Sequence, residues 1–151
     1  MRFFYFPELP LMTAPIPGLS GPDDPRLNRI LEEPPIGFGH KIRDNNWSRR
    51  TGQSIIESIK TDGQRYANVC YKQSNGRWIV EPGQTRWLAM YYLGMPTQKV
   101  VVCVKENEVE EFEQKFGSYN NIEITDLSEY LFTDHVDIVL KRAELACKEL
   151  V

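Results

Sequence analysis

Residues 78–104, WIVEPGQTRWLAMYYLGMPTQKVVVCV, hold a strand, a tight turn, a helix and a second strand in one uninterrupted run. The run opens with Trp78, Ile79 and Val80, aromatic and β-branched residues that suit a pleated, partly buried surface. Glu81-Pro82-Gly83-Gln84 then sets Pro beside Gly, which stops the strand and lets the backbone turn without a side-chain clash. Thr85 is the expected N-cap of the following helix. That choice puts Arg86 in the first turn, beside backbone N–H groups with no partner inside the helix. A helix N-terminus and a fixed cation together make an anion site. Leu88, Tyr91 and Tyr92, at i, i+3 and i+4, are the expected buried face, and Gly94 suits the C′ position ahead of Met95-Pro96. Val100–Val104 returns as a buried strand.

Working outward, the 151 residues point to one domain, large enough to bury about two thirds of its unfolded surface without metal or disulfide support. Met1–Leu11 contains the apolar run Phe3–Phe6 but is broken by Pro7 and Pro10 and lacks a small-residue cleavage site. A signal peptide is therefore not expected. No later stretch approaches the roughly 18 apolar residues of a membrane span, so the reading is a cytoplasmic protein without a membrane partner. The three cysteines, Cys70, Cys103 and Cys147, cannot all pair, and their spacing fits no zinc pattern. Cys70 and Cys103 fall in strand-like runs and read as reduced core thiols.

A net charge of −3 conceals a division. Between Lys41 and Arg86 nine Lys or Arg stand against four Asp or Glu, while from Lys105 onward five stand against twelve. The basic middle is either a solvated surface or an anion-binding face.

Residues 1–35 read as a Pro-rich arm, extended on the body of the protein or on a partner, followed by a short helix capped by Asp24-Pro25. Ile36, Phe38, His40 and Ile42 alternate with Gly37, Gly39 and Lys41 as in a half-buried strand, and His40 on its apolar side reads as a satisfied side chain. Arg43–Gly52 is a polar loop that brings Arg43, Arg49 and Arg50 near a short helix containing Ile55, Ile56 and Ile59. Tyr66–Tyr71 is a strand, and Asn75-Gly76 is the turn of a hairpin leading into Arg77–Val80. Residues 105–151 form an acidic extension on the same domain: a helix Glu108–Phe116 closed by Gly117, a short strand Ile122–Thr125, a helical turn or two over Leu127–Phe132, and a last helix from Asp134. The stripe Val136, Val139, Leu140, Ala143, Ala146, Cys147 and Leu150 on that helix must be buried, either on the sheet or on a second copy of the chain through residues 134–150. Asp134 and Asp137 are explained by the helix dipole, and no metal site is expected. The fold class is α+β (α/β), a small mixed sheet with strands near Ile36, Tyr66, Arg77 and Val100 and the Ile55 and Thr85 helices packed on it.

Gly83-Gln84-Thr85-Arg86, the helix closing on Leu93-Gly94 and the strand Val100–Val104 resemble the central motif of the ParB and sulfiredoxin-like superfamily. Upstream, Asn45, Asn46, Arg49 and Arg50, the Ile55 helix, Asp62-Gly63 and the next strand look like that family's N-P-R box, first helix and second strand, so the resemblance spans roughly residues 36–104. It implies a nucleotide at the turn, CTP or ATP with Mg2+, because family members bind CTP, reduce oxidised cysteine with ATP, or phosphorylate free serine. The residues carried over for phosphate are Gly83, Gln84, Thr85, Arg86, Arg49, Arg50 and Asn46. Gln84 stands where sulfiredoxins have their cysteine and ParB its acidic residue, and Thr85 replaces the first paired arginine. Glu81 is the candidate replacement carboxylate, so Glu81 and Gln84 are the catalytic candidates for hydrolysis or phosphoryl transfer. The alternative is a protein-interaction or DNA-backbone-contacting module on the same scaffold. Its acidic tail does not resemble a helix-turn-helix, and sequence-specific DNA reading is not expected. A phage or mobile element, acting in the host cytoplasm, suits a short protein of this kind. There is no Walker loop, G-x-S-x-G or zinc-protease motif to suggest other chemistry.

Overall fold

The strand at the end of the quoted stretch, Thr97–Val104, has nearly every side chain from Val100 onward buried, which only a strand covered on both faces allows. In the computed structural model, which describes residues 1–11, 55–72, 78–80 and 82–149, this strand lies at the centre of a five-stranded mixed sheet. In chain order the strands are β1 (Arg2–Pro10), β2 (Asn68–Lys72), β3 (Trp78–Val80), β4 (Thr97–Val104) and β5 (Ile122–Ile124). The helices are α1 (Ile55–Asp62), α2 (Gln84–Tyr92), α3 (Val109–Phe116) and α4 (Thr133–Glu149), with single 3-10 turns at Glu106–Glu108 and Leu127–Glu129. The strand order is β3-β2-β4-β1-β5. β2 and β4 run parallel and the other neighbours antiparallel, so the expected α+β class with a small mixed sheet is what forms.

Of the expected N-terminal arm, residues 2–10 are instead a strand of the sheet. β1 lies between β4 and β5, pairing Phe4 with Val102 and Phe6 with Val100 on one side and Phe4 with Glu123 on the other. Its four consecutive aromatics divide between the two faces of the sheet. Phe4 and Phe6 meet Phe112 and Phe116 of α3, while Phe3 and Tyr5 join the opposite cluster, where Tyr5 lies 4.5 Å from the Tyr130 ring. Apolar residues on both faces gave no alternation from which a strand could be read. Pro7 has no N–H to give the ladder, and the register shifts between Phe6 and Leu9.

One face of the sheet carries α1, α2 and α3. Ile56 and Ile59 of α1 pack with Val80, Trp87, Ala89 and Met90, and Trp87 Nε1 donates to the Leu11 carbonyl at 3.3 Å. α2 thus buries Trp87 and Met90 where Leu88, Tyr91 and Tyr92 were expected; Tyr91 is half-buried and stacks on Trp87, and the side chains of Leu88 and Tyr92 lie outside the description. Beginning the helix two residues earlier than the Thr85 cap implied does not by itself rotate its face; the tie to Leu11, just past the end of β1, holds Trp87 inward.

Gly94 is the C′ residue, as expected. Its φ is 72°, its N–H donates to Tyr91 and that of Met95 to Met90, the bond pair of a Schellman end.

The other face carries Leu127, Leu131 and Val139 against Val69, Val101 and Cys103. Of the expected α4 stripe, Val139 is buried and Val136 partly so, whereas Leu140 is 48% exposed and Cys147 exposed. The helix buries its apolar side chains most deeply in its first half, while further along Arg142 lies 5.3 Å from the Tyr71 ring centroid and the Met1 amino group is 3.7 Å from Cys147 Sγ. The strand expected near Ile36, the Asp24 helix, the Arg43–Gly52 loop and the Asn75-Gly76 turn lie outside the described residues.

Candidate anion site at the start of helix α2

The turn from β3 into α2 is held from below by β2. Val69 donates to the Pro82 carbonyl at 3.2 Å, and Gly83 takes φ 119°, a conformation L side chains rarely adopt. Gly83, not Thr85, is the N-cap, because the left-handed residue turns the chain into the helix directly. Being a glycine, this N-cap has no side chain with which to cap the end. The first intrahelical bond runs from Trp87 N to the Gly83 carbonyl, so the N–H groups of Gln84, Thr85 and Arg86 have no partner inside the helix. Gln84, Thr85 and Arg86 therefore occupy the first three helical positions, the first two described through their backbone alone.

Arg86 does not extend freely over the turn. Its Nη1 donates to the carbonyls of Tyr66 at 3.2 Å and Ala67 at 3.4 Å, the residues just before β2. That segment is itself anchored, with Ala67 N donating to Tyr130 and the Gln64 amide clasping both backbone groups of Lys99. Burial pushes the guanidinium pKa down, and nearby Tyr66 opposes the shift. Among the described residues no carboxylate pairs with Arg86. Among the described residues, then, this partly buried cation is held by neutral carbonyls alone, an arrangement that leaves its charge uncompensated by them.

Asn68 and Gln98 escaped the sequence reading. Asn68 opens β2 directly beneath the turn and is 0% exposed; its Nδ2 donates to Gln98 Oε1 at 3.0 Å and lies 3.9 Å from Met90 Sδ, while Oδ1 has no partner among the described residues. A Cβ on Gly83 would sit 2.7 Å from that oxygen. The available signal was an Asn between Ala67 and Val69, polar in an apolar strand, which calls for a buried partner.

The structure thus gathers Gly83, Arg86 and the backbones of Gln84 and Thr85. Glu81, Asn46, Arg49, Arg50 and His40 lie outside the described residues. His135 packs edge-on to Phe132, which in turn meets Tyr66, and no group of three or more His, Cys, Asp or Glu among the described residues is arranged to hold a metal ion. Cys70 faces the α1–α3 side and Cys103 the α4 side, so these two thiols cannot bond. No helix among the described residues is long and apolar enough to cross a membrane. Comparison with protein families, curated proteins and solved structures returns no match.

Proposed function

We propose that the Gly83–Arg86 turn binds a phosphate-bearing ligand, a nucleoside triphosphate with a divalent ion, on a ParB-like scaffold acting in the cytoplasm. One observation carries the reading: a partly buried Arg86 guanidinium, without a carboxylate partner among the described residues, stands at a helix N-terminus whose cap residue is a glycine. Backbone N–H groups and the helix dipole favour an anion there, and its charge would compensate the cation. Glu81 and Gln84 are the proposed chemical groups for hydrolysis or phosphoryl transfer, with Asn46, Arg49 and Arg50 as a second wall.

Calorimetric titration with CTP, ATP, GTP and a short DNA duplex, in magnesium, tests it. Arg86→Ala is expected to weaken nucleotide binding by about 10- to 100-fold, from the roughly 1.5–3 kcal/mol of a charge-assisted bond, and Arg86→Lys to recover only part, having lost the fork. If no nucleotide binds at millimolar concentration, or Arg86→Ala binds as wild type, the reading fails.

The bonds from Arg86 to Tyr66 and Ala67 favour a second reading, in which the arginine pins the turn and the scaffold is a non-catalytic interaction module. Its partners would be a nucleic-acid backbone or a second copy along α4, where Ile138, Leu140 and Leu145 are 41%, 48% and 59% exposed. In that case Arg86→Ala lowers stability, and no nucleotide heat is seen with either chain.

A further inference from the structure

We propose that Asn68 reads the ligand from beneath the turn, its carboxamide turning over together with that of Gln98 so that Nδ2–H replaces Oδ1 against Gly83 when a phosphate group is bound. The inference rests on the anion-binding reading of the α2 turn and adds a residue that the turn motif does not contain. Its starting point is a misfit. A fully buried amide oxygen without a donor is costly, and such groups are rare in folded proteins. Here it faces the N-cap glycine, close enough that a Cβ would stand 2.7 Å from it.

The two ends of a carboxamide have nearly the same shape but opposite hydrogen-bonding character. Turning over both amides keeps a bond between them, with Gln98 Nε2 donating to Asn68 Oδ1 in place of the 3.0 Å bond from Asn68 Nδ2. On the Asn68 side, what is given up is the 3.9 Å contact with Met90 Sδ, a weak acceptor. Electrostatics then chooses between the two arrangements. With the turn empty, the partial positive charge of the helix N-terminus and the Arg86 guanidinium hold Oδ1 forward. A phosphate dianion reverses the sign of the local field and favours the amide protons. Gly83 is what lets the amide stand so near the turn.

Side-chain amide and backbone NMR of the wild-type chain, titrated with inorganic phosphate and in a second series with ATP and magnesium, decides the matter. The expected result is that the Gln84–Arg86 backbone amides shift and the Asn68 Hδ2 contacts move from the Met90 methyl to Gly83 Hα at the same midpoint. Backbone shifts without that movement overturn the role of Asn68 and leave the anion site standing. No shift in either series overturns both. Asn68→Leu, close in shape and without the amide, is expected to bind about tenfold more weakly by calorimetry; unchanged affinity in a folded variant also overturns the proposal, and should the variant not fold, the wild-type spectra alone suffice.

Discussion

Gly83 joins two constraints that are usually separate. Its φ of 119° penalises any L side chain, and the space where a Cβ would go is taken by Asn68 Oδ1. Gly83→Ala is therefore expected to lose about 2–4 kcal/mol in urea unfolding, the sum of backbone strain and overpacking. A loss under about 1 kcal/mol would mean that Asn68 moves aside and the turn relaxes. Gly94 also has positive φ, at 72°, but nothing lies within 4 Å of its virtual Cβ, so an alanine there meets strain alone. Arg86 was legible as a cation in the first turn; its carbonyl partners were not, since Tyr66 and Ala67 come from a segment twenty residues away.

Among the elements, β1 changes the picture most. Phe6 is 0% exposed and contacts α3, and each fully buried side chain of this size contributes about 1.5–3 kcal/mol. A chain lacking residues 1–10 would expose the β4 and β5 edges together with the Val100–Val104 face. It is expected to lose cooperative thermal unfolding and amide dispersion altogether, whereas loss of a surface arm would leave both intact. Circular dichroism and a proton–nitrogen correlation spectrum distinguish these outcomes. α4 shows the opposite error. Its periodicity was legible, but the stripe it drew is only partly covered, because the sheet meets Val136 and Val139 and not Leu140 or Cys147.

Taken as a unit, the molecule is a two-faced sheet whose thiols report on each layer. Cys70 and Cys103 lie on opposite faces, with Cys147 exposed on α4. Under native conditions one thiol per chain should react promptly with a disulfide reagent and all three after denaturation; more than one fast thiol would mean that a face opens. Burial pushes the Cys103 thiol up to about 12 from its ordinary 9.0, and pushes Cys70 up as well. The folded state holds these protons more tightly than the unfolded chain, so their contribution to stability is full below about pH 9 and is lost as pH rises towards about 12. Urea midpoints should fall across that window, and a Cys70→Val, Cys103→Ala, Cys147→Ala chain should show less of the fall while retaining ligand binding.

Residues 78–104 were legible because their structure follows from neighbours in sequence. Pro-Gly stops a strand, a glycine ends a helix, and a β-branched run stays extended, all through sterics acting over a few bonds. The Ile55 helix, the acidic α3 and the existence of a helix at α4 followed in the same way from period and caps. What only the assembled chain decides is who stands beside whom. β1 pairs with β4 about a hundred residues away, Arg86 finds the carbonyls before β2, and Asn68 meets Gln98 on the neighbouring strand. Those choices depend on burial and partner supply across the whole sheet, and local pattern carries no record of either.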